Sequence, residues 1–452
     1  MPRPVAIVGG GISGLTAGYW LMRAGIDITI FESSSAVGGN VRSEKLDGFL
    51  IELGAHSTLA SAELLRLIDE LGITDQIAQP RAAAKRRFII KHGKLTQLPT
   101  SIVGFATSSA FSAGAKLRLL REPFIARGSH ESESIADFFA RRFGREIVDF
   151  AVDPFISGIY AGDPGKLSVR HAFPRLYEME QADGSILRGM LLGRTPEHEK
   201  MDKGTPRSIT FEQGMQTMID ALSKQLGAAI SLNSPVSAIT SSADGQFEVT
   251  TAAGSAEFDA VVLSVPAYAA APLLNKMAPD LSDILENIDH APVATVYTAF
   301  KKTDVAVDPN GFGFLVPSRE RRRILGSLWT SSAFENRAPD DDHLFTTFIG
   351  GSRDRPPALL PPEELIAIAV TELDSVLGIS GEPTFTYVKQ WSKAIPQYNI
   401  GYDDVTDAVE LFRLKHSRAF VCSNYYRGIS VSDCVKNARA VAAEVEQALS
   451  TP

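Results

Sequence analysis

PVAIVGGGISGLTAGYWLMRAGIDITIFE, residues 4–32, decides how the rest of the chain is read. Residues 4–8 form a short apolar run suited to a buried strand. Gly9-Gly10-Gly11-Ile12-Ser13-Gly14 is the turn. Leu15 to Ala24 reads as a helix closed by Gly25, and Ile26 to Phe31 as a second strand followed by Glu32. A β-α-β unit of about 30 residues has the size of one dinucleotide-binding half. Gly9-x-Gly11-x-x-Gly14 has the spacing of the phosphate fingerprint. Gly9 permits the tight turn, Gly11 lets the backbone approach a pyrophosphate, and Gly14 lets the helix pack close on the strand. Free N–H groups and the dipole at the helix N-terminus favour an anion there. Glu32 lies 18 residues beyond Gly14, near the spacing at which a carboxylate accepts ribose hydroxyls. The competing reading is a surface glutamate on a structural β-α-β unit. A carboxylate here disfavours a 2′-phosphate and therefore NADP. The text that follows favours FAD over NAD. A second glycine-rich turn with a cation, Gly38-Gly39-Asn40-Val41-Arg42-Ser43, precedes Glu52-Leu53-Gly54-Ala55-His56-Ser57. A long cofactor with a buried isoalloxazine needs such added contacts.

The surrounding chain narrows the class. Its 452 residues, 44% hydrophobic and 22% charged, suit a folded protein of two or three domains. Lys plus Arg number 45 and Asp plus Glu 53, for a net charge of −8, which weighs against nucleic acid as a partner. The two cysteines, Cys422 and Cys434, form no CxxC pair, and the eight histidines show no metal-binding spacing, so no metal is expected. Sparse cysteine points to a reducing, cytoplasmic compartment. The first apolar run ends at once in glycines, so no signal peptide is expected. Residues 95–115 carry no charge but are rich in Ser, Thr, Gly and Pro, and read poorly as a membrane span. From Arg81 to Arg127 ten Lys/Arg stand against Glu122 alone. Basic residues around a weakly apolar segment suit docking on an anionic membrane surface. A solvated helical insert is the plainer reading.

Beyond the first unit the pattern is mixed α/β. Helical spacing covers 61–72, most of 131–197, and 211–226. Short strands are expected at 229–232, 246–250 and 258–264, and a second sheet from 292–300, 323–330 and 344–350. A helix over 361–377, a buried strand at 419–422 and a closing helix over 432–449 complete the series. The first unit has no adjacent partner half, so its sheet is expected to recruit later segments.

Several segments carry a family resemblance: GGGISGL (9–15), FESSSAVGGNVRS (31–43), ELGAHS (52–57), KLTQLPTS (94–101), the stretches 155–190 and 208–222, QWSKAIPQYNIGY (390–402) and NYYRGISVSDCV (424–435). Together they resemble the FAD-dependent amine oxidase superfamily and, within it, the protoporphyrinogen oxidase family, over nearly the whole chain. SGIYAGDPGKLS (157–168) is the most specific of them. The resemblance implies a Rossmann-type FAD-binding domain built from 1–80, 206–275 and 405–452. It implies a mixed-sheet substrate-binding domain from 81–97 and 276–404, and a helical membrane-associating insert over 98–205. It implies non-covalent FAD held by Gly9, Gly11, Ile12, Ser13, Gly14, Glu32, Ser33, Gly39, Asn40, Arg42, Gly54, Ala55, His56, Ser57, Val236, Trp391, Asn424, Ile429, Ser430 and Val431. Val431 would open the last helix and turn backbone N–H groups toward a flavin oxygen.

The activity implied is oxidation of a porphyrinogen, protoporphyrinogen IX, with O2 as acceptor and hydrogen peroxide as by-product, in haem synthesis. The implied setting is cytoplasmic, peripheral on a membrane, as a monomer or homodimer. Coproporphyrinogen III, with four propionates, another FAD oxidase with an aromatic pair such as Tyr425-Tyr426, and a non-catalytic binding protein are the alternatives. Some positions depart from the family pattern. Ser423 replaces its usual Gly and is expected to crowd the pyrophosphate, Asn40 replaces a bulky residue, and Tyr402 replaces a His after Gly401. The position of His56 varies among relatives.

Candidate chemistry then falls on few residues. Arg87, in KRRFIIKHGKL on an expected strand, offers a guanidinium fork to a propionate; the competing reading is a solvated charge in a basic run. His56 is a proton shuttle near the flavin if its pKa is ordinary, or a ring packed for shape. Trp391 is a flavin wall or core. Phe155, Tyr160 and Phe173 line a macrocycle pocket or pack in the core, and the two cysteines read as small core residues.

Overall fold

The computed structural model of the chain describes residues 4–78, 80–128, 132–192, 208–242 and 244–450. Strand Val5–Val8 is buried at every position and sits in the middle of a parallel five-stranded sheet. The order is Ile230–Ser231, Ile28–Phe31, Val5–Val8, Ala260–Leu263, Ala419–Val421. Covering on both faces explains why these strands are continuous apolar runs without alternation. Val5 and Ile7 face a core shared with helices Ile12–Arg23, Gln216–Leu226 and Val431–Ser450. Ala6 and Val8 face the opposite core, with helices Ala267–Leu274, Pro279–Glu286 and Asp403–Lys415. The sheet thus recruits segments from the middle and the end of the chain.

A second, seven-stranded sheet runs Phe385–Pro396, His290–Lys301, Asp342–Gly350, Gly326–Leu328, Gly313–Leu315, Phe88–Lys91, Lys94–Gln97. Its pairs are antiparallel except Gly313–Leu315 with Phe88–Lys91. The two-residue period of a strand divides His290–Lys301 between two cores. Ala294, Val296 and Phe300 face helix Pro362–Leu377, while Tyr297 and Ala299 face Phe49, Ile51 and Leu53. Short helices, among them Ala113–Arg121, Ile135–Phe143, Asp153–Tyr160, Pro174–Asp183 and Ile186–Leu191, fill the span between the first and second parts of the chain. No helix among the described residues is long and apolar enough to cross a membrane.

Several element expectations need correction. The helix expected from residue 211 begins at Gln216; Phe211 closes strand Ser208–Phe211 and Gly214 turns the chain at φ +90°. The strand expected over 323–330 shrinks to Gly326–Leu328, because Thr330–Ala333 is helical. Strand Phe385–Pro396 was not anticipated. It is a sheet edge, largely open to solvent, so Lys and Gln interrupt its apolar signal. Residues 131 and 193–197 of the expected helical span, and the expected domain limit at 205–206, lie outside the described residues.

Candidate functional site

The first glycine turn joins the buried strand to helix Ile12–Arg23. Gly9 adopts φ +110°, a conformation L side chains rarely take. A Cβ on Gly14 would overlap Gly9 O, so close packing of helix on strand requires glycine there. A Cβ on Gly11 would meet nothing within 4 Å, which makes Gly11 the open side of the turn. Gly11 is also the N-cap, without a side-chain cap and with no acidic residue in the first helical turn. The first helical turn after Gly11 therefore carries no acidic side chain of its own to compete for its N–H groups.

Glu32 is buried and anchors the second strand's end. Its Oε2 accepts from Gly10 N–H (2.9 Å), and its Oε1 from Ser34 N–H (2.8 Å), Ser34 Oγ (2.6 Å) and Ser33 Oγ (3.3 Å). Gly10 and Ser34 were not among the expected residues, although the Ser run after Glu32 was a visible signal for such a turn. Ser234 N–H donates to Glu32 O (2.8 Å), which puts the start of strand Val236–Ser241, and Val236 with it, beside this corner. The second glycine turn backs onto the first: Gly38 N–H donates to Gly10 O (2.8 Å), and Gly39 approaches Gly11. Gly54 lies on the Asn40 backbone, where any Cβ would overlap its oxygen. Arg42 leaves this cradle, pairing with Glu44 at 3.3 Å on the surface.

The segment Leu53–Ser57 is pinned from several sides. Trp391 Nε1–H donates to Leu53 O (3.0 Å), with Lys389 over the indole at 4.4 Å, and Tyr297 OH donates to Glu52 O. The His56 ring lies parallel to Tyr297 at 6.3 Å and edge-on to Phe348 at 5.4 Å. Its Nε2 is buried without a hydrogen-bond partner. Burial, and then the Arg337 charge, lower its pKa from 6.5 to about 4. The expectation of an unperturbed histidine is corrected: the ring is neutral at physiological pH. Behind it lie Glu52 and Arg337, both almost wholly buried, which sequence reasoning did not single out. Burial raises Glu52 to about 7 against the lowering effects of Ser43, Arg337 and Met215.

Arg87 precedes strand Phe88–Lys91 and does not lie on it. Its guanidinium stands 5.0 Å over Phe312; the residue as a whole is exposed, and partial desolvation of its charge lowers its pKa. Among the described residues no carboxylate pairs with it. Phe312 packs edge-on against Phe334 (6.1 Å), and Phe312 and Phe348 both pack on the cluster of Ala84, Leu328, Ala333 and Phe334. An apolar floor therefore runs from an unpaired cation at Arg87 to the neutral imidazole of His56. Of the three aromatics considered for the pocket, Tyr160 is core, its hydroxyl donating to Ala172 O at 2.9 Å. Phe173 packs on that core, and Phe155 leans on Phe173 from the surface.

At the end of the chain, helix Val431–Ser450 begins at Val431. Ser430 Oγ accepts from Asp433 N–H (3.1 Å) and donates to Asp433 Oδ2 (2.6 Å), a capping pair. Ser432 N–H is taken by Thr58 Oγ1 (3.2 Å), so Val431 offers the remaining N–H of that turn. Tyr398 OH bridges Asn424 O (2.7 Å) and Gly428 N–H (3.1 Å), fixing the loop that carries Asn424 and Ile429. Ser423 Oγ donates to Val265 O at 2.9 Å, and the Val265 side chain lies beside Gly9. Tyr425 and Tyr426 are buried in the core and form no exposed aromatic pair. The open glycine turn, the buried Glu32 and the orphaned His56 Nε2 fit a flavin dinucleotide.

Comparison with known proteins bears on this geometry. Residues 12–446 match the model of the flavin-containing amine oxidoreductase family. The chain is 34% identical to the mitochondrial protoporphyrinogen oxidase of Nicotiana tabacum, over 96% of this chain and 93% of the relative. It is 27% identical to coproporphyrinogen III oxidase of Bacillus subtilis (strain 168), over 98% of this chain and 97% of the relative. A solved structure from Exiguobacterium sp. 255-15, provisionally named a protoporphyrinogen oxidase, superposes with a TM-score of 0.81 at 24% identity, over 99% of each chain.

Proposed function

The chain belongs to the flavin-containing amine oxidoreductase family, a family with a flavin cofactor, and from that premise we propose that it is a porphyrinogen oxidase of haem synthesis. The cofactor is FAD, held without a covalent bond, and the substrate is protoporphyrinogen IX. The observation that carries the reading is likeness along nearly the entire chain to oxidases of two porphyrinogens. The higher identity to the protoporphyrinogen oxidase, 34% against 27%, supports the first substrate.

FAD when bound supplies a two-electron acceptor that oxygen regenerates with release of hydrogen peroxide, so a six-electron oxidation takes three rounds. The chain supplies position and environment. The Gly9–Gly14 turn and its helix N-terminus would hold the pyrophosphate, and Glu32 the ribose. Asn40, Leu53–Ser57, Trp391 and the 424–431 segment would hold the ring system. Arg87 pairs with a propionate. Phe312, Phe334 and Phe348 exclude water from the face between Arg87 and His56. His56, neutral and with Nε2 free of other partners, accepts a hydrogen bond from a pyrrole N–H.

The working site we propose is the cytoplasmic surface of a membrane. Leu117, Leu120 and Phe124, spaced on one side of helix Ala113–Arg121 and its following turn, are 52, 71 and 84% exposed. Lys116, Arg118 and Arg121 border them, and Arg188 lies 6.0 Å from the Phe124 ring, bringing the exposed Leu191 and Leu192 alongside. Apolar side chains ringed by cations suit an anionic bilayer surface.

The test is porphyrin fluorescence in air with each porphyrinogen separately, corrected for autoxidation. Faster oxidation of protoporphyrinogen IX is the expected result. Preference for coproporphyrinogen III keeps the chemistry and changes the substrate. Flavin-loaded protein inactive on both overturns the proposal.

A further inference from the structure

Arg337 is 1% exposed, yet its guanidinium is incompletely satisfied. Nη2 donates to Thr210 Oγ1 (3.0 Å) and Phe211 O (2.9 Å), whereas the buried Nη1 has no hydrogen-bond partner. The nearest counter-charge to Nη1 is Glu52 Oε1 at 3.9 Å, beyond hydrogen-bond reach. Glu52, 3% exposed, is held by Ser43 Oγ (2.5 Å) and Met215 N–H (3.0 Å), with Gly214 packed against it. A buried cation with an unmade hydrogen bond is costly, and such groups call for an explanation. The pair stands behind the segment Leu53–Ser57, which also touches Trp391, Asn40, Tyr297 and Phe348. Arg337 is close enough for its charge to act on His56.

We propose that Arg337 and Glu52 are positioning charges that set the reduction potential of the flavin in opposite senses, Arg337 raising it and Glu52 lowering it. The proposal rests on the reading that the flavin lies against Leu53–Ser57. Two-electron reduction adds negative charge to the ring system. A fixed cation in a buried, weakly screened position favours that added charge, and a fixed carboxylate opposes it. Neither residue needs to touch substrate for this.

The experiment equilibrates the purified, flavin-loaded protein with a redox dye of known potential at pH 8, reading both by absorbance. At a fixed dye ratio, Arg337→Met is expected to lower the reduced-to-oxidised flavin ratio by about tenfold or more, Arg337→Lys to restore most of it, and Glu52→Gln to raise it several-fold. Loosening of the fold alone would move both neutralising variants the same way. Shifts of one sign, or ratios within about twofold of wild type, overturn the proposal. Should Arg337→Met not retain flavin, Glu52→Gln decides: a raised ratio supports the proposal and an unchanged or lowered one overturns it. Wild-type porphyrinogen turnover is read separately, so a failed substrate reading is distinguishable from failure here.

Discussion

Arg87 and Glu32 are single side chains whose surroundings make opposite demands. Arg87 has an aromatic face beneath it and no carboxylate partner among the described residues, so its charge is available to an anion. Arg87→Ala is expected to reduce kcat/KM for the porphyrinogen by about tenfold or more, mainly through KM, while flavin content stays at the wild-type level. Unaltered steady-state kinetics would remove the propionate role. Glu32 accepts four hydrogen bonds from three residues within a buried corner. Glu32→Ala leaves Gly10 and Ser34 N–H groups unpaired as well as the ribose, so flavin affinity is expected to fall by roughly tenfold or more. Titration of apoprotein with FAD checks this; equal affinity would break the ribose assignment. Glu32 was legible in sequence because spacing along one β-α-β unit is local. Glu52 and Arg337 were not, since 285 positions separate them and only the pairing of distant segments makes them neighbours.

Elements carry constraints that no single side chain shows. The turn between strand Val5–Val8 and helix Ile12–Arg23 works because the helix can approach the strand end, and Gly14→Ala places a methyl group on Gly9 O. That variant is expected to lose flavin during purification, visible as loss of absorbance near the flavin band; a fully yellow protein would contradict the close-packing role. Helix Ala113–Arg121 presents its apolar side outward, against the usual burial of such a stripe. Leu120→Glu with Phe124→Glu is expected to reduce co-sedimentation with anionic vesicles several-fold without affecting flavin content. Binding equal to wild type would leave the patch without a membrane role. The sequence located this basic stretch by composition; only the folded helix brings Leu117 and Leu120 to one exposed side with Lys116 and Arg121 at its margins. It missed strand Phe385–Pro396, because an exposed edge strand lacks the apolar period that makes a strand readable.

At the scale of the whole molecule, two buried groups on one short segment pull stability in opposite directions with pH. His56 is held at about 4 instead of 6.5, so between those values the unfolded chain binds more protons and stability declines as pH falls. Glu52 is raised from 4.5 to about 7, so over that window the folded protein binds more protons and this contribution is lost as pH rises. The slopes oppose each other between 4.5 and 6.5. Glu52→Gln is therefore expected to steepen the fall of Tm with acid across that interval, and an identical Tm profile would contradict the shifts. The sequence by itself determined the flavin cradle and the family: the glycine spacing, the carboxylate after the second strand and the central segment are local patterns, each fixed by a few adjoining dihedrals. Only the tertiary structure decided what stands behind and before that cradle. The aromatic face under Arg87, the phenylalanine floor, the neutral state of His56 and the buried Glu52–Arg337 pair all depend on groups brought close from far along the chain, and the last two on burial. Neither burial nor distance is a property of a residue's neighbours in sequence.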